Sequence, residues 1–274
     1  MTITWEQVLA FLCEDQTMAI TSLLFLAFFA AVALINYALP RVLRPYFLLA
    51  ASYGFFCYDP VNRPLVWVIA TATVLTWLCG LIISKVRAKP VRVLALAASV
   101  GFGIGILVYY KYWNLLADTV GGSILSHREN LLAPLGLSYF TFAAMSYTID
   151  VYRRDVETEH NIIDFGAYVV MFPQLIAGPI VKYRDVSDRL HVYKGRYELK
   201  QIEDGMTLFT FGLAKKVLLA DAIGALWTDI IGVADSPSVS FVGLANASTP
   251  LVWLGVIAYS LQLYFDFSGY SLMG

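Results

Sequence analysis

The chain has 274 residues, of which 59% are hydrophobic and only 14% are charged. This composition excludes an ordinary soluble globular protein, because the apolar runs are long enough to cross the roughly 30 Å hydrocarbon core of a bilayer. The formal net charge of -1 gives neither the basic surface of a nucleic-acid-binding protein nor an acidic tail, so the expected partner is the lipid bilayer and not nucleic acid.

Residues 1–17 are predicted to form an interfacial helix before the first apolar segment, because Trp5 and Leu9 follow a weak amphipathic spacing. Glu6 and Glu14 stand where a cleavable signal would carry positive charge. We therefore expect the first apolar segment to remain in the membrane.

The apolar segments that follow in chain order cover residues 18–39, 46–58, 62–83, 92–110, 131–149, 163–180, 205–232 and 250–267. The 163–180 segment contains Pro173 and Pro179, which predicts a broken or re-entrant path. Non-helical backbone at membrane depth must be buried in protein or line a wet cavity. The sequence thus predicts an all-α polytopic integral membrane protein, a multi-helix bundle with broken or re-entrant segments around a central funnel.

The orientation follows from the distribution of basic residues. Fourteen of the nineteen lie in four loops, namely Arg41, Arg44, Lys85, Arg87, Lys89, Arg92, Arg153, Arg154, Lys182, Arg184, Arg189, Lys194, Arg196 and Lys200. The positive-inside rule places all four loops in the cytoplasm if 46–58 crosses the membrane and 163–180 enters and leaves by the same face.

The stretch from Phe172 to Asp185 reads FPQLIAGPIVKYRD and holds several candidate funnel-lining residues. These are Gln174, Gly178, Pro179, Lys182 and Arg184. The amide and the helix-breaking residues favour a pore or pocket, and the basic residues that follow could meet an anion at its cytoplasmic mouth. A solvated positive-inside loop explains the same basic residues equally well.

Lys215 and Lys216 lie inside the apolar 205–232 segment. A lysine near the membrane centre costs roughly 2.5 to 3.5 kcal/mol unless it snorkels or faces water. The sequence leaves two alternatives open: at least one lysine faces a polar cavity, or both snorkel from a helix that enters the membrane late.

The C-terminal stretch YSLQLYFDFSGYSLMG contains the strongest candidates for functional-site residues. Ionisable residues inside a membrane segment are functional-site candidates by default. The candidate residues are Gln262, Tyr264, Asp266, Ser268 and Tyr270. For Asp266 we favour a structural role, as a buried helix cap or a hydrogen-bond anchor, over direct catalysis, with the small Gly269 allowing close helix contact.

The histidines and cysteines, which often serve as catalytic residues or metal ligands, indicate no functional site in this sequence. Three histidines lie in polar loops without a catalytic setting, and three cysteines are too far apart for a disulfide framework or a zinc site. They are His127, His160, His191, Cys13, Cys57 and Cys79. We predict no metal and no bound cofactor.

Several motifs together resemble the membrane-bound O-acyltransferase family, in its alginate O-acetyltransferase-like branch and the related D-alanyl transfer proteins. They are PLGLSYFTFAAMSYTIDVYR, FPQLIAGPIVKYRD, FGLAKKVLLAD and YSLQLYFDFSGYS. The resemblance implies a multi-pass protein of the bacterial inner membrane that O-acetylates an exported polysaccharide such as alginate. It further implies a cytoplasmic thioester donor such as acetyl-CoA, transfer toward the outer face, and extracytoplasmic polysaccharide-acetylation proteins as partners.

The resemblance also implies that residues 1–17 are an N-terminal extension and that residues 18–274 are the N-terminal portion of a single membrane domain. The family's catalytic histidine is expected beyond Gly274, so we predict no catalytic residue within the chain and no turnover by the chain alone. Many relatives have arginine at the position of Lys182. The alternatives to an acyltransferase are a non-catalytic truncated fragment or assembly partner, and a transporter or channel subunit, although no internal repeat supports the latter.

Overall fold

The computed structural model describes residues 22–120, 126, 128, 131–177, 181–191, 199–231 and 248–273, and this part of the chain contains helices and no strand. The α-helices are α1 (Leu23–Ala38), α2 (Arg44–Tyr58), α3 (Val66–Lys85), α4 (Lys89–Leu107), α5 (Trp113–Val120), α6 (Leu137–Arg153), α7 (Ile162–Val169), α8 (Phe172–Ala177), α9 (Tyr183–His191), α10 (Leu199–Ala214), α11 (Asp221–Ile231) and α12 (Thr249–Met273). Short 3₁₀ turns cover Arg41–Leu43 and Arg63–Leu65, and π-helical turns cover Val108–Tyr112 and Lys215–Ala220. The predicted all-α fold is confirmed, and the predicted extension 1–17 lies outside the described residues.

In the part of the chain that the structure describes, three helical segments are long and apolar enough to cross a membrane. They are Arg63–Lys85, Lys89–Thr119 and Thr249–Met273. Each coincides with a segment predicted from apolar composition, and together they confirm a helical membrane protein.

Proline and a capping serine explain where the first helices begin and end. The Ser22 side chain accepts a hydrogen bond from the Phe25 amide at 3.1 Å, which satisfies one of the free donors at the start of α1. Pro40 disfavours helical backbone at Leu39, and α1 accordingly ends at Ala38. Pro90 lies in the first turn of α4, where its missing amide costs nothing.

The described residues form two compact units, which we treat separately. In the first unit, α3, α4 and α6 pack closely because small residues allow their backbones to approach. A Cβ on Gly80 would lie 2.8 Å from the Tyr147 ring, and a Cβ on Gly103 would lie 2.7 Å from the Met145 sulfur. The buried hydroxyls of Ser99 and Thr148 join α4 to α6 by a 2.8 Å hydrogen bond.

The break predicted in the 163–180 segment is confirmed between α7 and α8. The last helical residue of α7 is Val169, and α8 begins at Phe172. The buried Phe172 amide donates to the Ser52 hydroxyl of α2 at 3.2 Å. The Phe172 ring packs against Phe25 and Phe55, with ring centroids 6.2 and 5.8 Å away. Protein groups therefore satisfy backbone that lipid could not.

The second unit contains α10, the π-helical turn Lys215–Ala220, α11 and α12. The turn continues α10 into α11, and α12 packs against all three. Most of the sequence-predicted polar candidates lie along this packing surface.

Candidate functional site

The site begins at the π-helical turn, which places the two lysines of the second unit. The turn has six residues, and the Asp221 amide donates to the Lys216 carbonyl, five positions earlier. The same spacing brings the side chains together, with Lys216 Nζ 2.7 Å from Asp221 Oδ1. Single π-turns inside α-helices occur frequently at functional sites.

Helix α12 supplies the groups that meet these lysines. Asp266 Oδ1 lies 2.8 Å from Lys216 Nζ, so this one ammonium bridges two carboxylates. Lys215 Nζ donates to the Ser268 hydroxyl at 3.1 Å. The Tyr270 ring centroid is 5.8 Å from Lys216 Nζ, within cation–π distance. We call Lys215, Lys216, Asp221, Asp266, Ser268 and Tyr270 the lysine cluster.

Two glycines let α10 and α12 approach closely enough for these contacts. A Cβ on Gly212 would lie 2.7 Å from the Gly269 carbonyl oxygen, and a Cβ on Gly269 would lie 2.9 Å from the Gly212 carbonyl oxygen. A Cβ on Gly269 would also lie 3.3 Å from the Lys216 amide nitrogen. The sequence-based expectation that Gly269 permits close helix contact agrees with this geometry.

We predict that Gly212→Ala destabilises the second unit by about 2 kcal/mol, because a Cβ there meets backbone that cannot rotate away. Unfolding of the purified chain in mixed micelles at increasing SDS fraction, followed by helical circular dichroism, measures the change. Gly205→Ala is the matched control on α10, since a Cβ at Gly205 has nothing within 4 Å. The control should retain or slightly gain stability because alanine is the better helix former. Equal losses in both variants would contradict a specific close approach at Gly212.

Gln262 contacts the other end of the α11–α12 interface. A Cβ on Gly224 would lie 2.5 Å from Gln262 Nε2, so only glycine fits beside this amide. Gln262 Oε1 is buried and accepts no hydrogen bond from the described residues. One helical turn away, the Trp227 and Tyr259 rings pack with centroids 4.9 Å apart. Gln262 therefore belongs to the same helix interface as the lysine cluster.

The charges of the lysine cluster balance, with two lysines facing two carboxylates. The Lys216 side chain is 16% exposed, and its partners Asp266 and Asp221 are 32% and 48% exposed. A lysine bound to two carboxylates stays protonated, so it is a poor nucleophile and a poor base. The arrangement can position groups and hold helices together, and it favours the anchoring role expected for Asp266.

The remaining sequence candidates lie elsewhere. Tyr264 is 65% exposed and its ring contacts the adjacent Phe265. Gln174 in α8 is half-buried and belongs to the first unit, as do the exposed Lys182 and Arg184. Gly178 and Pro179 lie outside the described residues.

Buried Tyr183 holds the basic stretch that contains Lys182 and Arg184. The Tyr183 hydroxyl donates to the carboxylate of Glu159, which is 4% exposed. Burial raises the pKa of the Tyr183 hydroxyl above its usual value, and the hydrogen bond to Glu159 raises it further. Lys182 and Arg184 lie on either side of this anchored tyrosine in the sequence. Arg184 forms a long ion pair with Asp185, with Nε 3.8 Å from Oδ1.

Sequence reasoning did not select Asp221, although the structure pairs it with Lys216. Its signal was present in the motif FGLAKKVLLAD, where an acid follows two lysines within an apolar segment. Among the described residues, no three side chains of the His, Cys, Asp or Glu type converge as metal ligands.

Comparison with known proteins gives a consistent set of relatives. No family model matches the chain. The chain is 37% identical over 267 residues to the probable alginate O-acetylase of Pseudomonas aeruginosa, covering 93% of this chain and 48% of the relative. It is 28% identical over 274 residues to the peptidoglycan O-acetyltransferase of Helicobacter pylori, covering 90% of this chain and 49% of the relative.

A third relative is more distant. The teichoic acid D-alanyltransferase of Lacticaseibacillus rhamnosus is 29% identical over 181 residues, which cover 64% of this chain and 40% of the relative. The chain thus spans about half the length of the curated relatives it matches.

Proposed function

We propose that the chain is part of an enzyme that O-acetylates an exported polysaccharide. The chain belongs to the membrane-bound O-acyltransferase family, in its alginate O-acetyltransferase-like branch. The observation that carries this proposal is the 37% identity to a probable alginate O-acetylase across 93% of the chain. An O-acetyltransferase for a second extracytoplasmic polymer among the relatives supports the reaction class.

In this proposal the acyl group comes from a cytoplasmic thioester donor such as acetyl-CoA and moves toward the outer face. Acyl transfer to a hydroxyl needs a base for the acceptor and a path for the donor. The charge-balanced lysine cluster offers no free base, so we assign it to the wall of the path, where Lys216 and Asp266 hold the π-helical turn Lys215–Ala220 against α12. Extracytoplasmic acetylation proteins are proposed partners.

A chimera tests the proposed function. The aligned segment of the Pseudomonas aeruginosa relative is replaced by this chain and expressed in a strain that lacks its own alginate O-acetylase. We expect acetyl groups on the secreted alginate, measured by the acetyl methyl signal in proton NMR. A chimera present in the membrane at the native level that leaves alginate unacetylated would contradict the proposal.

The isolated chain is the second arm of this test. We expect no donor-dependent acetyl transfer by the purified 274-residue chain, because we assign it none of the catalytic groups. Turnover by the isolated chain would show that it is not merely part of the catalytic unit. No acetylation by the chimera combined with normal membrane insertion would instead favour a non-catalytic assembly partner.

We further propose that the chain is a multi-pass protein of the bacterial inner membrane with its basic loops in the cytoplasm. Arginine and lysine around Ala88, between the two apolar segments Arg63–Lys85 and Lys89–Thr119, support this orientation. Ala88→Cys should react with a membrane-impermeant thiol reagent only after the inner face is opened. Val61→Cys, which lies just before the opposite end of the segment Arg63–Lys85, should react from outside, and the reverse pattern would overturn the orientation.

A further inference from the structure

A cavity of about 810 Å³ lies in the first unit and shares no lining residue with the lysine cluster. It is lined by the end of α3, the start of α4, the end of α6 and the loop that follows α6, and it opens to solvent. Its ionisable lining residues are Lys85, Arg87, Arg92, Arg154, Glu157 and His160. The fold thus brings together two basic loops that are more than sixty residues apart in sequence.

The charge of this cavity is strongly one-sided. Four permanent cations face one carboxylate, that of Glu157. The ion pairs among the described residues involve Arg184 and Lys216, so none of the four cations is paired with a carboxylate there. Cations that converge without carboxylate partners repel one another, and a bound anion relieves that repulsion.

Arg92 provides an unused donor in the wall of the cavity. One guanidinium nitrogen, Nη2, donates to the Tyr152 carbonyl at 3.0 Å, and the guanidinium lies over the Tyr152 ring, 5.1 Å from its centroid. These contacts fix the side chain in place. Its Nε is buried and has no acceptor among the described residues. A buried donor left unsatisfied costs about 1 to 3 kcal/mol, so an acceptor at this position is expected.

The N-terminus of α4 also favours an anion over a cation. The N-cap residue Ala88 makes no side-chain cap, and no acidic residue lies in the first turn of this 19-residue helix. Lys89 and Arg92 occupy that turn instead. The positive end of the helix dipole disfavours cations and favours an anion.

Arg154 reaches the cavity from an unusual backbone conformation. It caps the C-terminus of α6 with φ of +67°, a left-handed conformation that glycine adopts more easily. The position therefore accepts backbone strain and supplies a guanidinium to the cavity.

We propose that this cavity binds a phosphate group, carried by an anionic lipid headgroup or by a soluble phosphate compound. Arginine matches phosphate oxygens with two parallel donors, and the cavity lining holds three arginines and one lysine, with Lys85, Arg87 and Arg92 on one side and Arg154 on the other. The cavity lies where the apolar segments Arg63–Lys85 and Lys89–Thr119 meet, and the end of a membrane-spanning segment is where a protein is expected to meet lipid headgroups. Its volume admits more than a bare phosphate.

Equilibrium binding to the purified chain in neutral detergent tests the proposal with two probes. One is dioctanoyl phosphatidylglycerol and the other is inorganic pyrophosphate, each measured by isothermal titration. We expect saturable binding of at least one probe. Arg87→Gln and Arg154→Asn should each weaken it roughly tenfold, the loss expected for one charge-assisted hydrogen bond. Asparagine is chosen at Arg154 because it tolerates the left-handed backbone.

Three further variants separate a built site from general basic charge and from misfolding. Arg153→Gln and Arg41→Gln remove the same charge from the same predicted face without touching the cavity lining, and they should leave the affinity within about twofold. Glu157→Gln removes the opposing carboxylate and should tighten binding about threefold. Misfolding of the variant cannot explain a gain of affinity.

The outcomes are distinct. Binding of phosphatidylglycerol alone assigns the site to a lipid headgroup, and binding of pyrophosphate alone assigns it to a soluble compound. No saturable binding of either probe at millimolar concentration overturns the proposal. Equal loss of affinity in the Arg153→Gln control also overturns it, because the effect would then be general surface charge. The acyl-transfer proposal does not depend on any of these results.

Discussion

Asp266→Asn should destabilise the second unit by about 2 kcal/mol, below the 3 to 5 kcal/mol of a fully buried pair because Asp266 is partly exposed. The change leaves Lys216, 16% exposed, with one charged partner in place of two. Titration with SDS in mixed micelles measures the loss for the isolated chain. In the chimera with the alginate O-acetylase, we expect the protein level and the acetylation of alginate to fall together.

Asp221→Asn is the matched control for this prediction. It makes the same change of charge on the same lysine, but Asp221 is 48% exposed and its pair with Lys216 lies nearer to solvent. Such pairs contribute about 1 kcal/mol or less. A normal protein level and normal acetylation with Asp266→Asn would contradict the anchoring role. Equal losses in the two variants would contradict the importance of burial at Asp266.

The apolar segments of the sequence predicted most of the helices, since bilayer thickness sets the length of a spanning helix. The break in the 163–180 segment was predicted from its prolines, yet the first break in the structure precedes Pro173, between Val169 and Phe172. The partner that makes this break tolerable, the Ser52 hydroxyl, is 120 residues away and carries no local signal. Sequence therefore indicated the break but not the residue that stabilises it.

The ion pairs of the lysine cluster are a second feature that the sequence alone does not predict. In an α-helix, residues five apart point about 140° away from each other, so helical periodicity separates Lys216 from Asp221. The π-helical turn Lys215–Ala220 removes that separation and brings the two side chains to 2.7 Å. The composition of an apolar segment identified both lysines and Asp266 as unusual, but only the local helix geometry determines which carboxylates Lys216 meets.

The basic cavity of the first unit depends on tertiary packing alone. The positive-inside rule groups Arg87 and Arg154 on one face of the membrane, and no spacing argument joins their loops. The hydrogen bond between Arg92 and the Tyr152 carbonyl brings the loops together. Helical periodicity does not predict that these loops converge, because the convergence depends on how α4 packs against α6.

Gly136→Ala should have the largest effect on the first unit, a loss of about 3 kcal/mol from overpacking and a left-handed backbone. Gly136 is the N-cap of α6 with φ of +68°, and a Cβ there would lie 2.5 Å from the Leu175 carbonyl oxygen. Leu175 is 1% exposed in α8, so neither backbone can yield. We expect the variant to unfold at a markedly lower SDS fraction than the native chain.

Two further substitutions identify which cause dominates at Gly136. Gly101→Ala in α4 adds a Cβ with nothing within 4 Å and should cost no stability. Gly136→Asn tolerates a positive φ but adds the same Cβ, so the close approach to Leu175 predicts that it is nearly as damaging as alanine. Near-native stability of Gly136→Asn would mean that backbone conformation alone requires the glycine. Near-native stability of Gly136→Ala would contradict the packing of α6 against α8, on which the position of the broken segment depends.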